Sequence, residues 1–218
     1  MKSGEKDQEK KFMKEFSKNF KIFIIKKKNQ IRHRYLDDFF FVRINKTGGS
    51  SIKWALHLPI GHTTAQEYIQ QFGQDEWNRR FSFTVVRNPW DRVVSQYFYR
   101  IQTNQNNLLD EEIDFKTWVK LTYGEQDPRY LDDPKLFMPQ VDWISDQEGN
   151  ILIDFVLRFE NLQKNFSILC DKLGKDLDLP HIKASDRERY QKYYDQETVR
   201  VVEKWFRKDI STFQYSYK

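Results

Sequence analysis

The chain predicts a three-layer α/β/α sandwich with a mainly parallel central sheet, on three observations. An apolar run at residues 39–42 and apolar-rich stretches at 81–86 and 151–157 have the length and composition of strands. Helix-compatible segments separate them. The first two runs lead directly into turns of the kind that hold an anion at the edge of a parallel sheet.

Residues 39–58, FFFVRINKTGGSSIKWALHL, organise the rest. The run Phe39-Phe40-Phe41-Val42 breaks at Asn45-Lys46-Thr47-Gly48-Gly49-Ser50-Ser51 and resumes as a helix-compatible segment from Ile52 to Leu58. Strand, glycine turn and helix start aim backbone N–H groups at a phosphate. The glycines permit close approach, the helix N-terminus is partly positive, and Ser50 or Ser51 can cap the helix while touching the ligand. Lys46 adds a full charge on a movable stem. The order is not G-x-x-x-x-G-K-[ST], where the lysine follows the glycines and a hydroxyl holds magnesium.

The second strand signal, 81–86, ends in Arg87-Asn88-Pro89 and not in a metal-binding aspartate. One lysine and one arginine, with no acid at the strand tip, suit phosphate held without a metal ion. Pro89 fits the start of a helix that runs on through Tyr99. Asp91 reads as an N-terminal helix acid or a partner for an arginine. Trp90, Val93, Val94 and Tyr97 read as packing residues.

At 218 residues one domain is the default, and 39% hydrophobic content suits a globular core. The net charge of +5 is uneven: residues 1–34 hold 12 Lys+Arg against 4 Asp+Glu, leaving 25 against 28 for the remainder. The chain therefore divides into a basic arm, 1–34, and a body, 35–218. In the arm Phe12, Phe16, Phe20, Phe23 and Ile24 recur at three and four residues, an apolar stripe on a basic helix. It can pack on the body or a subunit, or lie on a membrane surface or an anionic polymer. Charges interrupt the arm before any apolar run reaches the roughly seven residues of a signal core. No stretch approaches the ~20 apolar residues of a membrane span. A soluble, cytoplasmic protein is expected, and the single cysteine, Cys170, agrees with a reducing compartment. Cys170 lies at helical spacing in Phe166-Ser167-Ile168-Leu169-Cys170 and reads as core.

Thr63 or Thr64 can cap a helix ending at Phe72 and Gly73, with His62 in the loop before it. Residues 102–150 are loop-rich, and Arg129, Tyr130, Gln140 and Trp143 are acceptor-binding candidates there. Arg158 and Glu160 can pair after the third strand, before a helix to Leu173 that Gly174 ends. A last helix, about 196–207, is expected to close the sheet with Val199, Val202 and Phe206.

The stretch Asn45 to Ile52 resembles the P-K-T-G-G-T-S loop of the sulfotransferases that use 3′-phosphoadenosine 5′-phosphosulfate (PAPS). VVRNPWDRVVSQY, residues 85–97, looks like their second signature, R-N-P-x-D-R-x-x-S. The likeness extends to His62-Thr63-Thr64-Ala65-Gln66-Glu67, to Arg158-Phe159-Glu160-Asn161-Leu162 and to Tyr193-Tyr194-Asp195. It covers roughly 35–215 and points to sulfotransferase family 2, which includes carbohydrate sulfotransferases. One departure is Asn45 where the family usually has proline, expected to loosen the turn.

The resemblance implies a nucleotide-kinase-like sulfotransferase fold and a sulfuryl group moved from PAPS to a hydroxyl, on a saccharide by family precedent. It implies PAPS as the donor, no metal, and no nucleic-acid partner. Lys46, Thr47, Gly48, Gly49, Ser50 and Ser51 would hold the 5′-phosphosulfate. Arg87 and Ser95 would hold the 3′-phosphate, and Lys183 and Ser185 fall in the family's cofactor-covering loop. His62 stands where family members place a histidine, a residue type suited to a general base, with Glu67 the fallback. The rival classes are a magnesium-dependent nucleotide kinase of similar fold and a non-catalytic module binding anionic polymers.

Overall fold

The computed structural model describes residues 36–58, 61–180 and 187–218, and from the arm Met13, Phe16, Ser17, Phe20, Phe23, Ile24, Lys27, Ile31 and Arg32. Phe12, Lys183 and Ser185 lie outside the described residues. A parallel sheet of order β1-β2-β3 is formed by Phe39–Val42, Phe81–Val86 and Phe155–Arg158. The register sets Phe41 against Phe83 and Thr84 against Val156.

Period-two alternation sorts each strand between two cores. Phe39 and Phe41, with Phe83, Val85 and Leu157, face helices α1 (Gly49–Ala55) and α8 (Leu162–Leu173). Phe40 and Val42, with Val86, face α2 (Ala65–Phe72), α3 (Gln74–Arg79), α7 (Val141–Ile144) and α10 (Arg207–Phe213). This is the expected three-layer sandwich. The stacked Phe41 and Phe83 rings, 4.8 Å apart, show how closely one inner face is filled.

The remaining helices are α4 (Pro89–Gln102), α5 (Phe115–Val119), α6 (Pro134–Phe137) and α9 (Gln196–Trp205), with a π turn at Lys120–Gly124. They enclose a third apolar cluster around Trp90, Val94, Trp118, Tyr123, Phe137 and Val202 that contains no strand residue. This corrects the expectation for the last helix: Val202 and Phe206 close this helical cluster, not the sheet. The third strand is also shorter than expected. Asp154 turns its carboxylate onto the Ser82 N–H and hydroxyl, at 2.7 and 2.8 Å, so the ladder starts only at Phe155. Ile151 joins an isolated antiparallel bridge to Ser145 instead.

Cys170 is buried core, as expected. Phe16, Phe20, Phe23 and Ile24 of the arm are exposed, so the body of the chain does not cover them. Among the described residues no helix is long and apolar enough to cross a membrane.

Candidate active site

The two turns expected to hold an anion both leave the C-terminal edge of the sheet, and α4 brings them together. After β1 the chain turns at Lys46, whose φ of 63° is left-handed, and at Gly48, at 83°. Gly48 is the N-cap of α1, with no side-chain cap. The serines expected as caps lie inside the first turn, where the Ser50 hydroxyl accepts from the Arg43 guanidinium at 3.0 Å. The Thr47 hydroxyl donates to the Ile44 carbonyl at 3.0 Å, so Thr47 braces the turn with its side chain. First-turn N–H groups have no partner one turn earlier in the helix. That of Ser51 reaches the Gly48 carbonyl at 3.0 Å, and among the described residues no backbone partner is found for those of Gly48 and Gly49. Gly48 is also sterically required, since a Cβ there would stand 2.8 Å from the Phe159 ring.

Asn45 does not loosen this turn. It is buried, its amide donates to Gln96 Oε1 (2.6 Å) and to the Leu136 carbonyl (2.9 Å), and its Oδ1 accepts from Arg92 (2.7 Å). Arg92, also buried, adds bonds to the Asn45, Met138 and Leu136 carbonyls. Asn45 is therefore a brace between the first turn, α4 and the loop at 136–138.

Arg87 follows β2 and is buried. Its Nε donates to Asp91 at 2.8 Å, one terminal nitrogen donates to the Lys46 carbonyl at 3.0 Å, and the plane stacks 3.9 Å from the Phe159 centroid. Gln140 clamps its backbone, accepting from the Arg87 N–H and donating to the Arg87 carbonyl, each at 2.8 Å. Gln140 is held in turn by the fully buried Asp209, which accepts from both its nitrogens and from the Val141 N–H. Burial pushes the Asp209 carboxyl up despite these donors.

Asp91 also pairs with Arg187, a residue the sequence reading did not single out. Ser95 and Tyr99 follow Asp91 at intervals of four and share its face of α4. Asp91 meets Arg87 at one end of this stripe, and Tyr99 meets the Lys46 ammonium at the other, 4.2 Å from the ring centroid. Ser95 lies between them and is half-buried. Arg87 and Lys46 thus meet the two ends of the helix face that carries Ser95. Burial, then Arg87, Arg187 and Arg43, push the Lys46 ammonium down to about 8.

His62 stands beside this cluster. Its Nδ1 is 3.0 Å from the Arg43 carbonyl, which can only accept, so Nδ1 carries the proton and Nε2 keeps its lone pair. Burial and then the Arg43 guanidinium push His62 down to about 4, so the ring is neutral at pH 7. Glu67 is occupied elsewhere: it completes a capping box with Thr64 and accepts from Lys135.

Three acceptor-binding candidates are corrected: Tyr130, Gln140 and Trp143 are buried and pack or brace, whereas Arg129 stays exposed, paired with Asp127 at 2.6 Å. Arg158 and Glu160 do not pair. Arg158 donates to the Phe213 carbonyl, while Glu160 accepts from the Asn88 N–H at 2.6 Å and from the Tyr215 hydroxyl at 3.2 Å, tying down the second turn. Arg43 was also missed, though a charged residue just past an apolar strand marks such a sheet edge. Arg187 has no local signal at all, because its partner is 96 residues away.

Residues 5–216 match the profile of the Sulfotransferase family. The chain belongs to the sulfotransferase family. The sulfotransferase resemblance read from the two turns is thereby borne out, and the match reaches into the basic arm. An uncharacterised protein of Archaeoglobus fulgidus is 27% identical over 113 residues, 50% of this chain and 82% of that protein. A crystal structure of a sulfotransferase from Alicyclobacillus acidocaldarius is similar at 13% identity and a TM-score of 0.46, covering 83% of this chain and 96% of that one.

Proposed function

We propose that this sulfotransferase moves a sulfuryl group from PAPS to a hydroxyl acceptor, a saccharide by family precedent, without a metal ion. The observation that carries the reading is the gathering of Lys46, Arg43, Arg87 and Arg187 at the sheet edge, where burial and then the three guanidinium groups push Lys46 down to about 8. Such a cluster fits a ligand with phosphate at both ends. When bound, PAPS supplies the sulfuryl group and a nucleotide leaving group.

The roles of the chain's own residues follow from chemistry. The Lys46 ammonium and the N–H groups of Gly48 and Gly49 stabilise negative charge growing on the leaving phosphate oxygen. Ser50 and Ser51 offer hydroxyls to the same phosphate. Arg87, with its planar fork, and Ser95 hold the 3′-phosphate, with Lys183 and Ser185 as further ligands. His62, neutral with Nε2 open, accepts the acceptor's proton. The arm's exposed phenylalanines and basic charge suit contact with a subunit or a membrane surface, and the single buried thiol suits a cytoplasmic setting.

Calorimetric titration with adenosine 3′,5′-bisphosphate in the absence of metal tests the donor. Binding that is lost in Arg87→Ala is expected; binding of ATP with magnesium but not of the bisphosphate would overturn the reading in favour of a kinase. In turnover, Lys46→Ala is expected to lose about 10²–10³-fold, the range for removing one preorganised charge-stabilising group. A folded Lys46→Ala protein with normal turnover would equally sink it.

A further inference from the structure

Tyr99 has no place in the machinery described so far, yet its ring is the surface on which the Lys46 ammonium rests. The nitrogen lies 4.2 Å from the ring centroid, well inside the range of a cation–π contact. Tyr99 is 45% exposed on α4, so packing does not account for it. Three guanidinium groups repel Lys46 from other elements: Arg43 at the tip of β1, Arg87 after β2, and Arg187. The carboxylate on the same helix face, Asp91, is engaged by Arg87 and Arg187.

We infer that Tyr99 is a positioning residue for Lys46, its ring face keeping the ammonium charged and stationed beside the phosphate turn. An aromatic face suits this task better than an acid. It attracts the ammonium through its quadrupole but carries no net charge, so it neither repels an incoming phosphate nor binds the lysine too firmly to release it. The purpose of this contact rests on the PAPS reading; its existence does not.

The test separates the two. In ligand-free protein labelled at lysine side-chain nitrogen, Lys46 is identified by the resonance missing in Lys46→Arg, and its titration is followed by NMR. Half-titration is expected at about 8 in the parent protein. Tyr99→Phe, which keeps the ring, should titrate alike. Tyr99→Leu should titrate about one pH unit lower and lose the ring-current shift on the lysine methylenes. A Tyr99→Leu protein, folded by circular dichroism, with unchanged titration and shifts overturns the inference. Adenosine 3′,5′-bisphosphate is then titrated into the same proteins at pH 8. Several-fold weaker binding in Tyr99→Leu, with parent-like binding in Tyr99→Phe, supports the positioning role; equal affinity in all three overturns it. If the parent protein binds no bisphosphate, the donor assignment falls, and the NMR result still decides the Tyr99 contact.

Discussion

Acidification from pH 7 to pH 5 should cost the folded protein about 2 kcal/mol through His62 alone. The imidazole ordinarily protonates near 6.5, but in the fold burial and Arg43 delay this to about 4. Between those values the unfolded chain binds a proton that the folded chain refuses, so unfolding takes up a proton and acid favours it. At pH 5 the unfolded histidine is almost fully protonated and the folded one barely so; each pH unit in that window is worth about 1.4 kcal/mol. The assay is urea unfolding at both pH values for the parent protein and for His62→Gln, which cannot titrate there. Carboxylates contribute alike to both proteins, so the difference of differences isolates His62. Equal losses in the two would refute the shielding of His62. The same depression predicts that the acid limb of kcat/KM lies near 4 if His62 is the base, well below that of an ordinary histidine.

Two substitutions in the first turn carry further expectations. Asn45→Ala strips the buried Arg92 of a side-chain acceptor and two carbonyl neighbours of their donor, and should lower unfolding free energy by about 2–3 kcal/mol; a loss under about 0.5 kcal/mol would refute the brace. Gly48→Ala meets both a left-handed φ and the Phe159 ring, and should cost about 3 kcal/mol in urea unfolding while weakening bisphosphate binding. An unaffected Gly48→Ala protein would show that the turn can relax.

Residues with local causes were legible. Phe39–Val42 is an uninterrupted apolar run, and Phe81–Val86 carries only Ser82 and Thr84 among bulky apolar residues, enough to announce a strand buried on both faces. Gly73 and Gly174 ended their helices where expected. The failures share another cause, a partner distant in sequence. Asp154 reads as part of a strand until Ser82 is placed beside it. Asn45 reads as a weak substitute for proline until Arg92 and Gln96 arrive from α4. Gln140 and Trp143 look like surface candidates in a loop-rich region, but the loop folds inward and uses them as core. In the site, the glycine turn and Arg87 carried recognisable spacing. Arg43 carried only its place just past an apolar strand, and Arg187 and Tyr99 carried nothing, because their partners are set by the fold and not by neighbours in sequence.

Helix α4 belongs to two assemblies at once. Its Asp91, Ser95 and Tyr99 side faces the cationic cluster, while Trp90, Val93, Val94 and Tyr97 are shared with α5 and α9 in a core that includes no strand. Such a partition sets an order of opening. Amides of α5 and α9 should exchange with deuterium through a partial unfolding that leaves β1 and β2 protected. In that partly open form the sheet and its first turn persist, but the helix carrying Tyr99 and Ser95 has lost its outer support. A ligand held by Ser95 and the turns at the two ends of its helix face would then slow exchange in α5 and α9 through α4.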